Sequence, residues 1–80
     1  MPYVQGWMEA AGAVAALRDE LTACGLDERF GGLRAEVTVA GVGVVELGRI
    51  TPATARALAR LLAVARQAES RGTGGGRAAA

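Results

Sequence analysis

The apolar positions of the first 24 residues recur with the spacing of an amphipathic helix. Alternating steps of three and four residues join six of them: Trp7, Ala10, Val14, Leu17, Leu21 and Cys24. Charged side chains fall off this line, so the pattern predicts a helix over about residues 6–24. Gly25 follows, and glycine readily adopts the left-handed conformation that ends a helix. Leu26 is then expected to fold back onto the last helical turn.

The period changes to two after a connector at residues 26–32, in which Phe30 is expected to anchor the chain in the core. Four alternate positions form one face of a first strand: Leu33, Ala35, Val37 and Val39. A second alternation begins at Val44. We expect a three-residue loop at residues 41–43, with glycine at its third position, which would pair Val39 with Val45.

Thr51-Pro52 indicates the start of a second helix, because threonine is a good N-cap and proline is tolerated at the first helical position. The apolar positions of this helix are Ala55, Leu58, Leu61, Leu62, Ala65 and Ala68. The helix is expected to end near Arg71, with Gly72 as its C-cap. Residues 73–80 show no periodicity and are expected to form a flexible tail. The sequence therefore predicts an α+β domain of residues 1–72, in the order helix–strand–strand–helix.

The apolar content predicts a thin core. Hydrophobic residues make up 51% of the 80, but many are alanine, and only Tyr3, Trp7 and Phe30 are aromatic. At about 25 cal/mol per Å² of buried apolar surface, such a core barely offsets chain entropy. A lone hairpin also leaves two open strand edges. We therefore expect self-association as a homodimer or larger assembly, through Trp7, Val14, Leu17, Leu21, Val42 and Val44.

The residue types argue against an enzyme. Histidine and lysine are absent, and serine and cysteine each occur once. Gly41 and Gly43 do not belong to a dinucleotide-binding G-x-G-x-x-G motif, because Glu46 stands at the third glycine position. No catalytic, cofactor-binding or metal-binding residue is predicted. Cys24 lies on the apolar line, so we expect a packed thiol and, since it has no disulfide partner, a cytoplasmic protein.

The charges are distributed unevenly along the chain. Residues 1–30 carry five acidic and two basic side chains, whereas residues 49–80 carry six arginines and one glutamate. On the second helix Arg56, Arg60 and Arg71 fall within about 60° at 100° per residue. Such a stripe suits a phosphate backbone, so a nucleic-acid-binding auxiliary factor using Arg49, Arg56, Arg60 and Arg71 is the alternative function. A solvated face is the more common explanation of such a stripe, and complementarity to the acidic first helix is another.

The element order, with VTVAGVGVVEL as its hairpin, resembles the small gas-vesicle shell proteins over about residues 14–65. The resemblance implies self-assembly into a shell or structural protein, although Thr51-Pro52 departs from that family's pattern. Our main expectation is a non-catalytic interaction module that acts as an adaptor or regulator. Its partner is expected to be a second copy or an unknown larger protein, and no segment approaches the ~20 apolar residues of a membrane span.

Overall fold

The computed structural model contains two helices and a two-stranded antiparallel hairpin. Their order along the chain is α1 (Pro2–Ala23), a 3-10 turn (Asp27–Phe30), β1 (Arg34–Val37), β2 (Gly43–Glu46) and α2 (Pro52–Ala79). This order confirms the predicted α+β class. The structure describes residues 2–79, with side chains for residues 3–71. The chain divides into two compact units, residues 1–50 and 51–80, and each is described by itself.

Helix α1 ends as its sequence predicts. Gly25 has a φ of 74°, in the left-handed region. The Leu26 N–H donates to the Leu21 carbonyl at 2.8 Å, and the Gly25 N–H donates to the Thr22 carbonyl at 3.0 Å. These two bonds form a Schellman motif, and both Leu21 and Leu26 are buried, so the hydrophobic contact that accompanies the motif is also available.

The core of the first unit is small. The buried apolar side chains among the described residues are Ala10, Val14, Leu21, Leu26, Phe30 and Leu33, and none of them is fully buried. Phe30 is therefore an anchor, as predicted. The expectation of a packed Cys24 is wrong, because the helix ends at Ala23 and the thiol lies exposed in the turn that follows.

The hairpin register differs from the prediction. The pairs are Arg34 with Glu46, Ala35 with Val45, Glu36 with Val44, and Val37 with Gly43. The loop is residues 39–41, closed by a 2.9 Å bond from the Thr38 N–H to the Val42 carbonyl. Gly41 takes the left-handed position with a φ of 87°, and Val39 is 92% exposed. The loop length was predicted correctly, but its position lies two residues earlier.

A close crossing of α1 and the hairpin explains why Gly41, and not Gly43, occupies the turn. A Cβ on Gly6 would overlap the Gly41 carbonyl oxygen and lie 2.9 Å from the Gly43 nitrogen. A Cβ on Gly43 would overlap the Gly6 carbonyl and lie 3.3 Å from the Ala10 Cβ. Gly43 is therefore needed where β2 touches the helix. Helix α1 begins at Pro2, four residues earlier than predicted, so Gly6 lies inside the helix at this crossing.

In the second unit, the start of α2 confirms the predicted cap. The Thr54 N–H donates to Thr51 Oγ1 at 3.1 Å, and the Ala55 N–H donates to the Thr51 carbonyl at 2.9 Å. The bounds of α2 pass the predicted end near Arg71. The proposed Gly72 cap and the flexible tail of residues 73–80 lie outside the described side chains and stay predictions. No helix in the described part of the chain is both long and apolar enough to cross a membrane.

Candidate interaction surfaces

One apolar surface lies on the first helix. We define the α1 outer face as Val4, Trp7, Met8, Ala11 and Ala15, which fall within about 100° around the helix axis. It is turned about 95° away from the line of Ala10 and Val14 that meets the hairpin. Val4 is 56% exposed, Trp7 53% and Met8 65%. Large apolar side chains therefore cover the first half of this face, and alanines cover the second half.

Two shallow depressions flank Trp7. The first has a volume of about 340 Å³ and is lined by Tyr3, Val4, Trp7, Met8 and Val37. The second, also about 340 Å³, lies over Ala11 and Ala15 and is bordered by Arg18 and Leu33, among others. Alanine leaves this second space open because its side chain ends at Cβ. The outer face thus has a protruding half and a recessed half.

Hydrogen bonds hold both ends of this surface. The Tyr3 hydroxyl donates to the Val39 carbonyl at the tip of the hairpin, which ties the start of α1 to the loop. At the recessed end, Arg18 Nη2 donates to the Leu33 carbonyl at 3.0 Å, and this keeps the guanidinium against the beginning of the hairpin. The shape of this surface is therefore fixed by the packing of α1 against the rest of its own unit.

The residues predicted for self-association do not form one surface. Val14 and Leu21 are buried in the core and Leu17 is half-buried, whereas Trp7, Val42 and Val44 are exposed. The predicted set does not include Tyr3, Val4 and Met8, which are also exposed apolar residues. The signal for Val4 and Met8 is present in the sequence, because they repeat at the helical spacing of four on a second face, whereas Tyr3 falls on the line of Ala10 and Val14.

The outward face of the hairpin is polar. Arg34 Nε lies 2.8 Å from Glu36 Oε2, and its Nη2 lies 2.9 Å from Glu46 Oε1 on the opposite strand. Such exposed ion pairs contribute about 0–1 kcal/mol each. Val44, 38% exposed, pairs with Glu36 on this face and so lies among charges. The outward face of the hairpin is therefore better suited to contact with water than to contact with an apolar surface.

In the second unit, the predicted arginine stripe is exposed. No ion pair joins Arg56, Arg60 or Arg71 to another residue of the described part of the chain. Arg66 lies about 110° around the helix from the stripe. The apolar positions Leu58, Leu61 and Ala65 occupy the opposite side of α2. Arg49 precedes α2, belongs to the first unit and is also exposed.

The chemistry of the described residues offers no metal centre, since no group of three or more cysteine, aspartate or glutamate side chains there is placed to hold a metal ion. Comparisons with known protein families, curated proteins and solved structures find no similar protein. The function is therefore inferred from the two surfaces, the α1 outer face and the arginine stripe.

Proposed function

We propose that this protein is a non-catalytic interaction module that associates with a second copy of itself through the α1 outer face. The observation that carries the proposal is the half-exposed Trp7, surrounded by the exposed Val4 and Met8 on a well-formed helix. Contiguous apolar surface of this kind marks interaction sites in soluble proteins. We place the protein in the cytoplasm, because its single cysteine is free and exposed.

The exposed apolar area supplies a large part of what a small dimer interface needs. Tyr and Trp side chains bury 150–250 Å² when covered, so half exposure leaves about 100 Å² on Trp7 and about 100 Å² on Tyr3, which borders the outer face in the depression beside Trp7. With Val4 and Met8 the apolar area reaches about 400 Å² per protomer, or about 20 kcal/mol gross for two protomers at 25 cal/mol per Å². Association costs about 4–15 kcal/mol before side-chain ordering and polar desolvation are counted, so the gross figure is an upper bound on the binding free energy. Ala11, Ala15 and Val37 bring the area toward the ~1,200 Å² of small specific interfaces.

The charge pattern supports a second copy as the partner. Between residues 3 and 15 the only charged side chain is Glu9, which lies on the opposite side of α1. The protruding half of the outer face therefore carries no charge that would repel a second copy, and Arg18 and Arg34 border only the recessed half. The alternative partner under this proposal is a larger protein with an apolar groove, which would give the chain an adaptor or regulator role. A chain that is monomeric and still binds such a protein would support this alternative.

Light scattering coupled to gel filtration, over a dilution series, tests the self-association. Replacing Trp7 by alanine removes about 100 Å² of contact from each protomer, or about 5 kcal/mol over both copies, so the dimer Kd should rise by up to about 4,000-fold. The matched control is Val64→Ala, an equally exposed apolar residue of α2. A compact monomer at micromolar concentration, or equal effects of the two substitutions, would refute the proposal.

A second function is supported by the arginine stripe. We propose it as a contact for the phosphate backbone of nucleic acid, because Arg56, Arg60 and Arg71 are exposed, lie on one side of α2 and make no ion pair within the described residues. They span about 22 Å along the helix at 1.5 Å per residue. Three phosphate contacts predict a slope of about −2.7 for log K against log salt concentration on duplex DNA.

The test of this second function compares two substitutions with the same charge change. Arg60→Gln removes a stripe residue and should reduce the magnitude of the slope by about 0.9. Arg66→Gln removes an arginine on another side of the helix and should leave the slope nearly unchanged. Fluorescence anisotropy of labelled duplex DNA, repeated at several salt concentrations, measures both. Absence of binding at about 50 mM salt, or equal changes in the two variants, excludes a stripe-specific contact.

The third function that we propose for testing is assembly into a shell or other extended structure. It needs a second contact surface in addition to the α1 outer face, and the two unpaired edges of the two-stranded sheet are suited to that role. The same light-scattering series distinguishes it, because an open assembly keeps growing with concentration whereas a closed dimer reaches a fixed mass.

A further inference from the structure

The protrusions and recesses of the α1 outer face indicate how two copies would pack against each other. Val4, Met8, Ala11 and Ala15 follow one another at steps of four, three and four residues, the spacing of a helix–helix packing line. The first two are large and protrude, with exposures of 56% and 65%. The last two are alanines beneath a depression of about 340 Å³. Protrusion and recess thus lie on the same line of the same helix.

The geometry points to an antiparallel α1–α1′ contact across a two-fold axis, in which Val4 and Met8 of each protomer fill the recess over Ala15 and Ala11 of the other. This inference rests on the proposed self-association and specifies its surface and orientation. A two-fold interface is self-complementary, so each residue pair occurs twice. With the axis midway between residues 9 and 10, Val4 meets Ala15′, and Met8 meets Ala11′.

A parallel contact fits the same residues poorly. It would bring Val4 against Val4′ and Met8 against Met8′ at one end, and Ala11 against Ala11′ and Ala15 against Ala15′ at the other. The large pairs would hold the helices apart while the alanine pairs left a void, and voids forfeit dispersion contacts. The antiparallel arrangement pairs a large residue with a small one at each level, which allows the close interaxial distance of about 8 Å.

The residues that surround the proposed contact are compatible with the antiparallel orientation. Trp7 borders both depressions, so it can cover the edge of the contact from each protomer. Across the axis it comes level with Gly12′, where an added Cβ would meet nothing within 4 Å. The bond from Arg18 to the Leu33 carbonyl holds the guanidinium at the end of the recess, beyond Ala15.

Disulfide trapping tests the orientation in the full-length chain, with Cys24 replaced by serine. The double variant Val4→Cys/Ala15→Cys should form a covalent dimer under mild oxidation, because the two new thiols face each other across the axis. A bond within one chain is excluded, since positions 4 and 15 are about 16 Å apart along α1. The single variants Val4→Cys and Ala15→Cys should remain uncrosslinked, because each thiol lies opposite a residue without one.

Each outcome has a separate meaning when the same samples are measured by light scattering. Reciprocal crosslinking of the double variant alone supports the antiparallel contact. Crosslinking of Val4→Cys by itself shows a parallel contact and overturns the inference, while leaving self-association intact. A dimer without any crosslink places the contact on another surface and also overturns it. A monomer at every concentration refutes both this inference and the self-association.

Discussion

Gly6→Ala should destabilise the first unit, although alanine is the better helix former. The added methyl group would overlap the Gly41 carbonyl oxygen and lie 2.9 Å from the Gly43 nitrogen. Both are backbone atoms of the hairpin, which cannot rotate away. Helix and hairpin must therefore separate by about 1 Å, and a gap of that size forfeits a quarter to a half of the dispersion energy of each contact.

The magnitude follows from two opposing terms. Overpacking of this kind costs about 1–3 kcal/mol, and the change from glycine to alanine in a helix returns up to about 1 kcal/mol. The upper range applies because the obstructing atoms are backbone, so we expect a net loss of about 2 kcal/mol. A unit of 50 residues is stable by only about 2.5–7.5 kcal/mol, so the loss is a large fraction of the total.

Gly12→Ala is the matched control, because Gly12 lies in the same helix and a Cβ there would meet nothing within 4 Å. It should stabilise the protein by up to about 1 kcal/mol. Urea unfolding followed by far-UV circular dichroism, at one fixed protein concentration, measures both free energies of unfolding. The close crossing of α1 and the hairpin would be refuted if the two alanine variants changed the stability equally, or if Gly6→Ala stabilised it.

Two further substitutions test the helix ends. Thr51→Ala removes the acceptor of the 3.1 Å bond from the Thr54 N–H and should lower the free energy of unfolding by about 1 kcal/mol, measured by urea unfolding. Thr51→Ser should retain most of the stability. Equal stability of the two variants would contradict the capping role. Gly25→Ala forces a residue with a side chain into a φ of 74° and should cost about 1–2 kcal/mol, and Gly25→Asn should cost less because asparagine tolerates this conformation. A thermal melt of the three proteins measures it, and an unchanged Tm for Gly25→Ala would show that the turn relaxes.

The features that were predictable from the sequence are those determined by nearby residues. The Gly25-Leu26 helix end and the Thr51 cap each depend on bonds within five residues, and both were predicted correctly. The loop position was not, because Gly41 and Gly43 satisfy the same local rule. Contact with Gly6, more than 30 residues away, decides between them.

The same limit applies to the candidate surface. Helix α1 is apolar on more than one side, so periodicity alone does not show which side the hairpin covers. The structure places Ala10 and Val14 under the hairpin and leaves Val4 and Met8 outside. Val14 and Leu21, predicted as contact residues, are consequently core residues. The alanines at positions 11 and 15 can be recognised as part of a surface recess only when the structure shows which side of the helix is exposed.

The position of Trp7 gives the protein an internal optical reporter. It is the single tryptophan of the chain and is half-exposed in the folded first unit. Its emission should therefore respond weakly to unfolding and strongly to any event that removes water from the α1 outer face. A shift of the emission to shorter wavelength as the concentration rises, with an unchanged circular dichroism spectrum, would record assembly without a label and separately from folding.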